Sequence, residues 1–208
     1  MRVNKVVLKA VLSTAAAIFI LLVVMFAALA FIYPSTMMQF TYDLGMESAS
    51  IRYARRAYSR SEQIYYIAFA TEVAIGEKDY EKIDACGSKF VKDDSFSKYC
   101  AEKNATRPEG VTATYQQYVY GQVGVAKYYN GKAEEAIDFA FLINVDSFTQ
   151  NNAVAAVLLT AIKEEDAEAV AMMRDKLVAF RDEKGTTLAD EDGSYLHRMI
   201  GFAQVHGS

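Results

Sequence analysis

The chain has 208 residues, with 22 Lys or Arg against 26 Asp or Glu and a net charge of −4. That balance opposes a non-specific nucleic-acid binder, which needs a net basic surface, so no nucleic-acid partner is expected. Hydrophobic residues make up 52% of the chain, and the excess sits at the N-terminus.

The first predicted element is a transmembrane helix over residues 10–32. Ala10 to Ile32 is a run of 23 residues without a charge, with Ser13 and Thr14 its only polar side chains. As a helix it covers about 34 Å, enough for a bilayer core of about 30 Å. Arg2, Lys5 and Lys9 precede it, and Ala28-Leu29-Ala30 fits a leader-peptidase site. The run is longer than a signal peptide's apolar region, however, and Tyr33-Pro34 follows at once. A retained anchor is therefore expected, with secretion after cleavage near Ala30 as the alternative. The next basic residue after the span is Arg52, so the N-terminus is expected in the cytoplasm and residues 34–208 outside a plasma membrane. That outer part holds 19 of the basic and all 26 of the acidic residues. Ser13, Thr14 and Ala15–Ala17 would suit helix packing if the span itself were an interface.

Beyond the span, Gly and Pro are scarce, no segment alternates with period two, and the fold class is all-α. Three regions are expected: a cytoplasmic stub and anchor at 1–33, a juxtamembrane helix at 34–60, and a helical domain at 61–208. Ser35 is a candidate cap for the juxtamembrane helix. Arg52, Arg55, Arg56 and Arg60 share one face of it. That stripe suits an anionic surface, either lipid headgroups or an acidic wall polymer, or else a solvated face paired with nearby acids. Helices are then expected over 61–76 and 79–91, followed by an irregular insert at 92–110. Further helices are expected over 112–130, 132–142, 151–163, 165–183 and 194–205. Cys86 and Cys100 permit one disulfide in an oxidising compartment, or else are two unrelated buried thiols.

These helices pair around turns at Gly76–Asp79, Asn130–Gly131 and Lys163–Asp166. Aligned on the turns, Tyr80-Glu-Lys-Ile83, Ala133-Glu-Glu-Ala136 and Ala167-Glu-Ala-Val170 coincide, the last two 34 residues apart. In the middle pair Tyr120, Val123 and Gly124 lie on the first helix and Ala136 on the second. This pattern resembles the tetratricopeptide repeat over roughly residues 62–183. The chain departs from that family in having no Trp and no proline closing the second helix. The resemblance implies an α-solenoid of antiparallel hairpins with a protein-binding surface, capped by the last helix through Tyr195, Met199, Ile200 and Phe202.

No catalytic, cofactor or metal motif is present. The two histidines, His197 and His206, sit in or beyond the last helix, and no zinc-protease, Cys-x-x-Cys, nucleophile-elbow or phosphate-loop pattern occurs. The run Asp190-Glu191-Asp192-Gly193 lacks the alternating ligands of a calcium loop and reads as a solvated turn. Glu72 interrupts an apolar helix, as either a buried acid or the helix's solvent edge. Tyrosine is abundant: Tyr65, Tyr66, Tyr115, Tyr118 and Tyr128 are candidate protein-binding side chains, with interhelical packing as their other role. Asn104-Ala-Thr106 is a formal glycosylation sequon. The expected function is a membrane-tethered protein–protein interaction scaffold and not an enzyme, with unknown protein partners and room for a homo-oligomer. The alternatives are a wall-polymer hydrolase of the cell envelope and a structural subunit of a membrane complex.

Overall fold

The computed structural model describes residues 5–106, 113–143, 148–150 and 152–207. Among them there are helices and no strands. The first helix, α1 (Lys5–Ile32), is long and apolar enough to cross a membrane. Within Val7–Ile32 an 18-residue stretch reaches a mean hydropathy of 3.0, and none of its residues is buried. The core helix of a soluble protein hides most of such an apolar surface, whereas this stretch is left exposed.

Pro34 opens α2 (Pro34–Asp43). Tyr33 stands at its N-cap with ψ 65°, and no side chain caps it, so Ser35 is not the cap. The chain bends sharply there: the Phe40 ring lies 6.3 Å from that of Phe26. Fourteen residues of straight helix would separate them by about 21 Å. The single helix expected over 34–60 is in fact two. Gly45, at φ +67°, reverses the chain, and α3 (Glu47–Ser61) packs back on α2. Only glycine takes that conformation without a Cβ penalty.

Seven helices of the expected array follow: α4 (Ile64–Gly76), α5 (Tyr80–Phe90), α7 (Tyr115–Tyr129), α8 (Ala133–Ala140), α9 (Asn152–Lys163), α10 (Ala167–Lys184) and α11 (Asp190–His206). Between α5 and α7 lies α6 (Phe96–Ala105), inside the segment expected to be irregular. Phe96 and Cys100, four apart, bury one face of it, and Phe96 sets its ring 4.9 Å from that of Phe90. The polar stretch Lys92–Ser95 masks that short period in the sequence. Residues 107–110 of the expected insert lie outside the described residues.

One turn type recurs. Gly45, Lys78, Gly131 and Glu165 all have φ between 54° and 73°. In each case the following N–H bonds the carbonyl five residues back: Met46 to Thr41, Asp79 to Ala74, Lys132 to Lys127 and Asp166 to Ala161, at 2.8–3.1 Å. This left-handed stop satisfies the last carbonyls of the first helix and aims the second one back. Four hairpins therefore occur in chain order, α2–α3, α4–α5, α7–α8 and α9–α10. Neighbours stack: α3 on α4, α5 on α7, and α7 on α9, with α11 closing on α10.

Small residues mark the closest approaches. A Cβ on Gly87 would stand 2.2 Å from Val123 Cγ2, and one on Gly124 would stand 2.9 Å from Val157 Cγ2. Glycine there lets α5, α7 and α9 pack closely. The core has two clusters, one centred on Ile67, Ile83, Phe90 and Val123, the other on Val154, Val170, Met173, Leu177 and Leu196. Tyr120 packs against both, stacking on Phe139 at 4.9 Å.

Candidate functional site

The five candidate tyrosines divide by environment. Tyr65 and Tyr118 are 51% and 44% exposed. Tyr66 is half-buried against the N-terminal core cluster, with its ring 5.6 Å from that of Tyr65. Tyr128 packs on the C-terminal cluster and donates its hydroxyl to Asp166 at 2.9 Å. Burial and that hydrogen bond push the Tyr128 phenol up to about 12. Tyr128 therefore serves structure: Asp166, which caps α10 through the Ala169 N–H, is fastened by it to the preceding hairpin.

Tyr65, Tyr115 and Tyr118 belong to one face. On α4, Tyr65, Phe69 and Glu72 follow at helical spacing, so they share a side. The Phe69 ring meets Tyr42 of α2 at 5.2 Å and Tyr65 at 6.5 Å. Glu72 accepts a hydrogen bond from the Tyr115 hydroxyl at 2.6 Å and pairs with Lys103 Nζ at 3.2 Å. Lys103 lies over both the Tyr99 and the Tyr115 rings, at 5.5 and 5.7 Å. Tyr99, Tyr115 and Tyr118 then continue ring to ring, with centroids 6.0 and 6.3 Å apart. The outcome is an aromatic surface running from α2 across α4 to α6 and α7, with one ion pair at its middle. Burial, then the bond to Glu72, holds the Tyr115 phenol protonated far above its ordinary range.

The sequence reading missed Tyr42, Phe69, Tyr99 and Lys103. From the sequence Tyr42 falls in a single juxtamembrane helix over 34–60 and Tyr99 in the irregular insert at 92–110. Only the Gly45 reversal and the presence of α6 bring them beside α4. Glu72 is half-exposed and engaged by two partners, so it sits at a polar edge and not in an apolar core. Its neighbour Thr71, in contrast, is fully buried and donates to the Ile67 carbonyl at 2.8 Å.

Two arginines of the stripe, Arg56 and Arg60, lie against the end of α1. Arg60 donates to the Phe31 carbonyl at 2.5 Å. The Arg56 and Arg60 guanidinium groups stand over the Phe31 ring at 4.6 and 5.0 Å. Arg52, Arg55 and Arg56 line a cleft with Lys89 of α5. Among the described residues none of these arginines is ion-paired, and Arg52, Arg55 and Arg60 are exposed.

Cys86 and Cys100 are both buried and both free thiols, so the permitted disulfide is not made. Burial pushes both thiols up, Cys100 to about 12, which leaves them as inert packing groups. The acidic run at 190–193 is the first turn of α11 and not a solvated turn, its negative charge suiting the helix dipole. Asp192 within it is buried and accepts from the Thr149 N–H at 2.8 Å. Asn104 uses its side-chain oxygen to accept from the Tyr115 N–H at 2.8 Å, which ties α6 to the start of α7.

A second polar centre carries structure. Asp84 accepts from Lys127 and Lys132 at 2.7 Å each and from Ser88 at 3.0 Å. It joins α5 to α7 and to the turn before α8. Among the described residues no three His, Cys, Asp or Glu side chains converge as a metal site would need. Comparison with known protein families, with curated proteins and with solved structures finds no match, so a functional reading rests on this chain's own residues.

Proposed function

We propose that this chain is a membrane-tethered protein–protein interaction scaffold, a tetratricopeptide-like array of helical hairpins held at the bilayer by α1. The observation that carries the reading is the aromatic surface around Glu72 and Lys103. Tyr42, Tyr65 and Tyr118 expose 45%, 51% and 44% of their surface. Tyrosine supplies large, rigid contact area at low entropic cost, and a central ion pair fixes orientation, the usual make-up of a binding hot spot. The repeated left-handed turn at Gly45, Lys78, Gly131 and Glu165 supports a repeat array. In such an array each hairpin contacts its neighbours and leaves one long surface for a partner. Glu72, the acid named for the alternative of an envelope hydrolase using it or another acid, is engaged by Tyr115 and Lys103, which favours a recognition role for this residue.

The array would face outward from a plasma membrane, with the N-terminus inside. Arg56 and Arg60 lie next to the span in space, but they follow it by more than 20 residues in sequence, beyond the range that sets orientation during insertion. A tether of this kind confines the array to the membrane plane and raises its local concentration toward a membrane-resident partner.

The test is affinity enrichment from solubilised membranes with the full chain. Tyr65→Ala/Tyr118→Ala is compared with wild type after both give the same circular dichroism. The scaffold reading expects a protein that wild type enriches and the double variant loses by at least tenfold, since two truncated hot-spot tyrosines cost about 2 kcal/mol or more. Equal enrichment by both proteins sinks the aromatic surface as the binding site.

A further inference from the structure

Four cations from two helices converge beside the end of the span. Arg52, Arg55 and Arg56 of α3 and Lys89 of α5, with Tyr58 and Ser59, line a cleft of about 260 Å3. None of the four is ion-paired among the described residues. Asp93 lies next to the cleft, where its carboxylate accepts the Tyr58 hydroxyl at 2.8 Å and pushes that phenol up to about 12. Clustered like charges repel one another, so the arrangement favours an anion that bridges them.

The position of the cleft selects the anion. Arg56, one wall of it, also stacks on Phe31, the penultimate residue of α1, and Arg60 one turn further on bonds the Phe31 carbonyl. The last residues of a span lie where hydrocarbon gives way to headgroups. A second contact, deeper along α1, shows that the hairpin folds back on this helix. Phe40 packs on Phe26 inside the span, and Leu44, the residue that follows α2, is 58% exposed. The α2–α3 hairpin thus lays an apolar side chain of α2 along α1 and two guanidinium groups of α3 against its last turn. Guanidinium forks match phosphate oxygens two at a time.

We infer that the Arg52–Arg55–Arg56–Lys89 cleft binds the phosphate of an anionic phospholipid headgroup and pins the α2–α3 hairpin to the bilayer surface. The inference rests on α1 being a span. It is independent of which side the array faces, and of what the aromatic surface binds.

The experiment uses the full chain in nanodiscs holding phosphatidylcholine and phosphatidylglycerol in equal parts, with retained lipid counted by native mass spectrometry after release. The expected result is phosphatidylglycerol kept over phosphatidylcholine. The selectivity should fall about fivefold for each arginine changed to Gln among Arg52, Arg55 and Arg56, the attraction one basic residue has for an anionic surface. Arg174→Gln/Arg181→Gln, which removes positive charge far along the chain, should leave it unchanged. Should the change at half-buried Arg56 disturb the fold, the change at exposed Arg55, Arg55→Gln, carries the same test. Equal retention of both lipids by wild type overturns the site, as does a selectivity unmoved by Arg55→Gln. Glycerol phosphate bound in neutral micelles as tightly as phosphatidylglycerol assigns the cleft to a soluble phosphate and overturns the lipid source. Capture of an acidic glycopolymer in preference to the lipid does the same. Release of the full chain from phosphatidylcholine vesicles by alkaline extraction removes the span, and the inference with it. A chain that stays in those vesicles without lipid selectivity loses the cleft alone.

Discussion

Asp84 shows how one carboxylate can hold three elements. Burial alone raises its carboxyl, but the hydrogen bonds from Lys127, Lys132 and Ser88 outweigh that and hold it at about 2, below the ordinary 3.8. A depressed carboxylate gives stability that is complete above its unfolded value and lost as pH falls through the folded one. Asp84→Asn should therefore cost about 3 kcal/mol near neutral pH, because the buried Lys127 keeps only the longer pairing to exposed Glu135 at 3.6 Å. The gap from wild type should close as pH drops from 3.8 towards about 2, measured by chemical denaturation across that window. The cysteines offer a second residue-scale test. Because both are buried free thiols, alkylation without reductant should add two labels in denaturant and none to the native chain. A native disulfide would block labelling in both conditions. Gly87 gives a third. A methyl group there meets Val123 Cγ2, so Gly87→Ala should lose about 1–3 kcal/mol in thermal or denaturant unfolding. Gly201, also within a helix but with nothing inside 4 Å of its would-be Cβ, should gain about 0.5–1 kcal/mol on the same change.

At the scale of elements, the four left-handed turns are the repeating feature of the chain. Two of them carry glycine and two do not. Lys78 and Glu165 bear the cost of a Cβ at positive φ, so Lys78→Gly and Glu165→Gly should each stabilise the fold by about 0.5–1 kcal/mol. Gly131→Ala should lose about 1 kcal/mol at the equivalent place. Differential scanning calorimetry on the three variants reads both signs, and a loss at all three would mean that the turns are not equivalent. The turns are also stitched along one edge. Tyr129 stacks on Tyr80 at 4.4 Å and donates to Glu164 at 2.7 Å, while Asn130 donates to the Tyr80 carbonyl at 3.0 Å. Much of this was legible in the sequence. The three later hairpins and their turns followed from helical periodicity with Gly, Asp and Lys punctuation, and the small residues at Gly124 and Ala136 announced close packing. The α2–α3 reversal was not legible, because its one signal, Gly45, lies in a short polar stretch that a continuous helix also tolerates. Helix α6 was hidden for the same kind of reason: its buried positions, Phe96 and Cys100, number too few to show a period. The aromatic surface depends on both of these elements, so its tyrosines could be named from the sequence but not assembled.

At the scale of the whole molecule, a bare apolar helix leads into a hairpin folded against its end, and three further hairpins continue from it. The two ends of the domain differ. The hairpin nearest the span holds the basic cleft, and the aromatic surface lies just beyond it, across α2, α4, α6 and α7. Under the proposed tether, a partner that meets Tyr65 and Tyr118 is met close to the bilayer, which suits a membrane-resident partner. The most direct measurement is site-specific photo-crosslinking of the full chain in the membranes of cells that make it, with the photoreactive residue at 65, at 118, or at 174 on α10. The account predicts one shared protein adduct from positions 65 and 118 and none of that mass from position 174. The same adduct from all three positions, or no protein adduct from 65 and 118, would contradict it.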